Sequence, residues 1–391
     1  MAKQVKKVVT KAKKKISALV TDHGRVYITA TFNNTLVTGI APIQLANPDL
    51  KWETTTQHDA GLDVGLFKNR ISLIFDAYYK KTTDLLLNVP FPLYTGYASV
   101  LENVGSVENK GIEISLNADI IRSKDLIWHA NIVFAKNENK VLSLGNGTQN
   151  FTPTAPTGQQ SPVIVQVGLP LGTFWGYSTD GLLTADDIAK GVPLLTGVPQ
   201  KVGDRKYVAL NDHTSVTSVD KHNLGNSQPD FTYGFSSTIS YKGFDLSFLL
   251  QGSYGNKLFN QFEQLIEKPT LALNAAGVLA DRWTASNTSG TIPRATNSPV
   301  PQVIDRYVED ASYLRLKNLT LGYNLPKDFL SKIHVKQFRV YVGAQNLFTI
   351  THYAGYDPEA NYFDGDNTKQ GIDFGVYPAV KTYLVGVNLA L

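Results

Sequence analysis

Cysteine is absent from all 391 residues, which removes disulfides, thiolate zinc sites and thiol nucleophiles while leaving the compartment open. No window of about eighteen apolar residues exists either, so membrane-spanning helices are excluded, whereas the strands of a β-barrel give a far weaker signal per segment. The N-terminus has the basic part of a signal peptide without its apolar core, since only ISALV separates Lys15 from Thr21 and Asp22. As written, the chain is expected to stay in the cytoplasm. There is no G-x-S-x-G elbow, P-loop, dinucleotide fingerprint or H-E-x-x-H motif. His23, His58, His129, His213, His222, His334 and His352 are scattered without ligand spacing. The expectation is therefore no enzyme, no cofactor and no metal.

Charge is unevenly placed. Residues 1–40 hold seven lysines and Arg25 against Asp22 alone, so +7 lies there and the remainder carries −3 to give the formal +4. A basic arm on a slightly acidic body reads as a nucleic-acid-binding tail or as a segment of separate origin.

From about residue 56 the chain alternates apolar and polar side chains in runs of about ten, the period of a strand with two unlike faces. RISLIFDAYYK places Ile71, Leu73, Phe75, Ala77 and Tyr79 on one face, with Ile74 the exception on the other. GIEISLNADI repeats the pattern, and FTYGFSSTISY with YKGFDLSFLLQGSY predicts a hairpin turning at Lys242 and Gly243. LIWHANIVFAK, SYLRLKNLTLGY, KQFRVYVGAQNLF and TYLVGVNLAL bring the expectation to about ten strands. Within YLRLKNLTLGY the phase slips between Leu316 and Leu319, which predicts a bulge near Asn318.

The polar faces separate a soluble sandwich from a membrane barrel. They are small and uncharged, as in Thr232, Gly234, Ser236, Thr238 and Ser240, where a soluble sheet shows water Lys, Glu and Arg. Tyr241, Phe244, Tyr254 and Tyr323 stand at strand ends, where an aromatic girdle meets a bilayer interface. Long connections around 143–172, 179–228 and 256–305 suit the outer loops of a barrel better than a compact soluble domain. Pattern alone thus favours an all-β, antiparallel transmembrane barrel portion, with a soluble sandwich as the other reading.

Several segments carry more than pattern: NPDLKWETT (47–55), GLFKNRISLIFDAYYKKTTDLLL (65–87), NVGSVENKGIEISLNADI (103–120), PDFTYGFSSTISYKGFDLSFLLQGSYGNKLFN (229–260), VEDASYLRLKNLTLGYNLP (308–326) and VYVGAQNLFTITHYAGYDPE (340–359). Together they resemble the C-terminal barrel of the SusC/RagA family of TonB-linked outer-membrane transporters of Bacteroidetes, over residues 41–391. The resemblance implies a barrel of about 22 strands with a plugged lumen, in outer-membrane lipid, taking up glycan or peptide fragments with a SusD-like lipoprotein and energised through TonB. About half those strands are expected here, with no TonB box or plug, so the expectation is a truncated receptor that does not transport alone. Two departures from the family stand out. Asp212 and Asp220 are too far apart for its calcium-type loop, and the chain ends in Leu391 where an aromatic is usual.

AKQVKKVVTKAKKK followed by HGRVYITATFNNTLVT is similar to the start of the small-subunit ribosomal protein eleven family. That resemblance makes residues 1–40 a fragment comprising a basic arm and a β-hairpin, joined to the body between about 38 and 46. It implies ribosomal RNA contacts from Lys13, Lys14, Lys15, Arg25, Asn33, Asn34 and Thr35, since lysines neutralise phosphates and Asn and Thr reach 2′-hydroxyls. Composition alone reads the same residues as a solvated tail and a plain turn. The alternative function is accordingly a cytoplasmic rRNA-binding fragment carrying a barrel remnant.

Two loop motifs complete the reading. In FWGYSTDG, Phe174, Trp175 and Tyr177 offer a stacking surface for sugar rings, against the plainer reading that they pack on a barrel wall or loop. Asp186 and Asp187 in TADDIAK are expected to open a short helical turn, where acidic side chains suit the N-terminal dipole.

Overall fold

The computed structural model describes residues 12–13, 25–32, 35–42, 45, 47–97, 99–145, 147–153, 160–210, 214–268, 274–296, 302–332 and 334–390, with side chains from residue 45 onward except at 88, 90, 93 and 99. Nine long strands follow one another as an antiparallel meander: β1 (Thr54–Leu66), β2 (Ile71–Thr83), β3 (Ser106–Arg122), β4 (Leu126–Ser143), β5 (Phe231–Tyr241), β6 (Phe244–Tyr254), β7 (Tyr313–Asn324), β8 (Gln337–Thr351) and β9 (Thr382–Ala390). The pair Ala12–Lys13 adds a tenth strand at the β1 edge, opposite Thr55 and Thr54. Among the described residues the first and last strands do not pair with each other, so the sheet has two edges.

Register settles which residues share a face, because directly paired residues in an antiparallel sheet point to the same side. From Leu62↔Phe75 the apolar row passes to Ile114 and Phe134. Farther round, Phe235↔Leu250↔Leu316 and Ile239↔Leu246↔Leu321 continue it, and Leu321↔Val342↔Val385 carries it to the last strand. Leu62, Leu321, Val342 and Val385 are exposed, so at these positions no described residue covers the apolar face. Aromatics rim it at both ends. Phe244 and Tyr323 meet with ring centroids 4.5 Å apart at one, and Phe231 stacks on Tyr254 at 5.2 Å at the other. Ten residue steps of about 3.4 Å along β6, tilted about 40°, give a band of roughly 26 Å, which matches the apolar belt of about 25 Å in a transmembrane barrel.

The opposite face is polar and wet. Asn131 donates to Ser115 at 3.2 Å and to Asn117 at 2.8 Å, and Tyr78 donates to Asn137 at 2.9 Å. Asp76 lies directly opposite Glu113, a like-charged pair that a dry interior would not tolerate. Ile74 and Val133 also sit here, exposed, so the exception noted at Ile74 is a real apolar patch on the inner wall. Tyrosines on this face lie over glycines of the adjoining strand. A Cβ on Gly386 would come within 2.3 Å of the Tyr341 ring, and one on Gly111 within 2.7 Å of the Tyr78 ring. Glycine there admits a flat-lying ring and pins the register.

The connections differ sharply at the two ends of the sheet. Residues 67–70, 123–125, 242–243 and 325–336 join strands at one end; residues 84–105, 144–230, 255–312 and 352–381 join them at the other. That is the short-turn and long-loop asymmetry of outer-membrane barrels. The hairpin turns at Lys242 and Gly243 as expected, both with positive φ (45° and 91°), the type I′ geometry that matches strand twist. A Cβ at Gly243 would come within 2.9 Å of the Asn324 carbonyl oxygen, so the position is closed to larger residues. The predicted bulge is present too: against β6 the register shifts between Leu249 and Leu250, which pair with Asn318 and Leu316 and leave Lys317 as the extra residue.

Most of the buried core lies in the long loops, though Val107 of β3 and Val141 of β4 join a second cluster with loop residues Leu87, Leu144 and Val165. Val163, Phe174, Val216, Phe259, Val303 and Ile372 form one cluster, supplied by three of the four long connections. A barrel wall bounded by lipid and water needs no thick protein core, so the loops supply their own.

Candidate functional site

Polar side chains converge in two places, along the inner wall and under the loop cap. A groove of about 600 Å³ follows the inner wall past Asp76, Glu113, Ser115, Thr232, Gln251 and Tyr313. Its lining offers hydrogen bonds and negative charge to a polar solute, while Ile74, Val133 and Leu249 give it an apolar side. No sequence signal named these residues as a group; alternation put them on one face, and register brought them together.

Loop 352–381 is tied to this wall by a buried guanidinium. Arg315 of β7, only 2% exposed, donates through Nη2 to Asp357 at 2.7 Å, through Nη1 to Glu359, and through Nε to Thr349 Oγ1 at 2.9 Å. Tyr313 donates to Glu359 at 2.6 Å, and Asp357 accepts the Ala379 amide at 2.9 Å. Burial raises the Asp357 carboxyl pKa, but the Ala379 and Glu359 amides and Arg315 outweigh it and hold the group below its ordinary value. No local sequence pattern marks Arg315, Asp357 and Glu359 as partners, because Arg315 lies more than forty residues from both carboxylates.

The cap itself is knitted from several loops. Strands Lys257–Asn260, Val308–Asp310 and Ile372–Asp373 form one small sheet. Thr179 donates its amide and hydroxyl to Asp305, at 2.9 and 2.7 Å, tying loop 144–230 to loop 255–312. Under this sheet the short helix Gln261–Ile266 presents Glu263 and leads into Glu267. Arg306 grips Glu267 through two bonds, 3.0 and 2.6 Å, and Tyr307 donates to it at 3.0 Å.

Glu263 is pushed up to about 8 by burial first, then by its hydrogen bond with Glu309 and the charge of Glu267. Because this folded pKa is raised above the ordinary 4.5, the stabilisation it contributes is fully present below 4.5 and is lost as pH rises through about 8. Hydrogen exchange across residues 255–312 should therefore show a cap well protected at pH 5.5 and loosened at pH 9. Glu263→Gln should flatten that dependence, and equal protection of the wild type at both values would contradict it.

The expected sugar-stacking residues lie in this cap. Phe174 is 0% exposed and packs on Phe259 with centroids 6.3 Å apart. Tyr177 is buried, edge-on to Tyr207 at 5.5 Å with the Lys221 ammonium over its ring at 5.3 Å. Only Trp175 keeps partial exposure. The three do not form one open surface, because the strand Thr173–Gly176 turns Phe174 into the cap core.

Asp187 sits in the helix Ala185–Lys190, where it and Thr184 form a capping box. The Thr184 hydroxyl first, then the Lys206 ammonium, hold Asp187 far below the usual carboxylate range. Asp220 is buried and takes the amides of Leu210 and Thr217, at 2.9 and 2.8 Å, closing a turn. Asp212 and Leu391 lie outside the described residues. Among the described residues no group of three His, Asp or Glu is arranged to hold a metal ion, and no helix is long and apolar enough to cross a membrane.

At the N-terminus, strands Arg25–Phe32 and Thr35–Pro42 pair as the expected hairpin, from Arg25↔Pro42 to Phe32↔Thr35. Lys14, Lys15, Asn33 and Asn34 lie outside the described residues. Lys13, in the basic arm, lies in the two-residue edge strand on β1.

The family described as TonB dependent receptor-like, beta-barrel matches residues 20–347. TonB-dependent receptor P3 of Formosa agariphila is 38% identical over 359 residues, 90% of this chain and 36% of that protein. TonB-dependent receptor SusC of Bacteroides thetaiotaomicron is 30% identical over 351 residues, 88% of this chain and 32% of that one. A solved RagAB peptide transporter aligns with a TM-score of 0.78 at 26% identity, covering 99% of this chain and 40% of its own. The chain thus spans about a third to two fifths of the length of these relatives. The family match begins at residue 20 and runs through the expected join, so the ribosomal resemblance of residues 1–40 gains no support from it. With apolar outer band, polar inner wall and one-sided long loops in agreement with a match over most of its length, this chain belongs to the TonB-dependent receptor family of outer-membrane β-barrels.

Proposed function

We propose that this chain supplies wall strands and the outer loop cap of a SusC/RagA-type receptor that imports oligomeric nutrients, glycan or peptide fragments, across the outer membrane. It is a transport component and not an enzyme. A SusD-like surface lipoprotein and TonB are its proposed partners, on the strength of the likeness to SusC and to a RagAB peptide transporter. The observation that carries the reading is the uncovered apolar band with aromatics at both rims, backed by a polar groove. Unpaired strand edges are very costly in hydrocarbon, so the transporting unit contains more strands than the nine long ones described. Expressed from its own gene in its own cell, the protein is expected in the outer-membrane fraction as a heat-modifiable band. Recovery in the cytoplasm, co-sedimenting with small ribosomal subunits, would instead favour the rRNA-binding alternative.

A further inference from the structure

A cavity of about 170 Å³ opens inside the cap between residues 198–207, 264–268, 292–296 and 302–307, away from the inner-wall groove. Its walls include the rings of Tyr207 and Tyr307 and the apolar side chains of Val198 and Ile292. Arg205 reaches into it from the short strand Arg205–Tyr207. The strand pairs with Thr179–Leu182, and its position is fixed further by Gln200, whose amide donates to the Arg205 carbonyl at 2.7 Å.

What distinguishes Arg205 is its charge balance. The acidic neighbours are already committed: Glu267 to Arg306 and Tyr307, and Asp204 to Arg294 at 2.9 Å. Among the described residues, none forms an ion pair with Arg205. Burial lowers its pKa most, Tyr307, Tyr207 and Glu267 partly offset that, and the Arg306 charge adds to the lowering. A half-buried guanidinium without an anion is only partly solvated, and its planar fork matches a carboxylate through two parallel hydrogen bonds.

We propose that this cavity is a carboxylate-binding pocket, with the Arg205 guanidinium as the anchor and the Tyr207 and Tyr307 rings as walls for the rest of the ligand. The volume lies below the roughly 300–1,000 Å³ of sites for whole small molecules, so the pocket takes one end unit of a longer ligand. Two sources present that chemistry: the C-terminal carboxylate of a peptide and the C6 carboxylate of a uronic acid. The proposal stands apart from the transport reading, because it concerns binding to this chain and is measured without transport.

The test is calorimetric titration of the full chain in detergent micelles with two matched pairs, a tripeptide against its C-terminal amide and glucuronate against its methyl ester. One acid, which identifies the source, should bind about tenfold or more tightly than its neutral partner. Arg205→Gln should remove that preference, and Arg205→Lys should keep part of it, since it retains the charge and loses the fork. The matched pairs report on the unaltered protein, so the proposal stays exposed if a variant misfolds. Neutral partners binding as tightly as the acids, no binding of either acid at millimolar concentration, or inorganic sulfate outcompeting both would overturn it.

Discussion

Replacing Leu319 by arginine is expected to cost about 2–4 kcal/mol of folded stability, while the same change one residue on, at Thr320, should cost about 1 kcal/mol or less. The difference comes from register alone. Leu319 pairs with Phe248 and Ala344 near the middle of the apolar face, where a guanidinium must be buried in hydrocarbon. Thr320 pairs with Ser247 and Gly343 on the polar face, where an arginine side chain meets water and small neighbours. At about 1.4 kcal/mol per decade the first cost is a roughly 30- to 1,000-fold loss in the folded to unfolded ratio. Urea titration of the chain in lipid vesicles, followed by tryptophan fluorescence, measures both variants. Equal costs, or a larger cost at Thr320, would place the wrong face toward lipid.

Loss of the Arg315 knot should be at least as damaging, but to a different part of the molecule. Arg315→Gln leaves Asp357, 7% exposed, without its cation. Breaking a buried pair from one side costs about 3–5 kcal/mol, because the remaining charge stays desolvated. The sheet ladder does not depend on that side chain, so the variant should still enter vesicles while residues 352–381 become open to protease. Asp357→Asn should remove much of the same stability, and the double variant should lose much less than the sum of the two. Additive losses, or an unchanged digestion pattern, would show that the knot does not hold the loop.

Strands were readable where one face is continuously apolar, and β2, β3 and β5 through β9 follow the written alternation closely. β1 is a weak signal because Asp59, Gly61, Asp63 and Gly65 lower its strand propensity, although Leu62, Val64 and Leu66 alternate with them; pairing with β2 along its whole length makes it a strand. The bulge at Lys317 was readable because one inserted residue reverses the phase of every residue after it. The cap was not readable: Val163, Phe259 and Ile372 meet only after three loops have closed, and no local period announces such contacts. For the same reason Phe174 and Tyr177, grouped by their nearness in sequence, proved to be core residues, while Arg205 and Arg315 gave no sequence signal of their charge environments.

The central claim is that one face of this meander looks at lipid and the other at water, and the absence of native cysteine makes it directly measurable. Single cysteines from Leu246 to Gln251 along β6, spin-labelled in the chain reconstituted into vesicles, would report accessibility to oxygen in the bilayer and to a water-soluble nickel chelate. The account predicts a period of two, with oxygen favoured at Leu246, Phe248 and Leu250 and the chelate favoured at Ser247, Leu249 and Gln251. A flat profile, or the opposite phase, would contradict it.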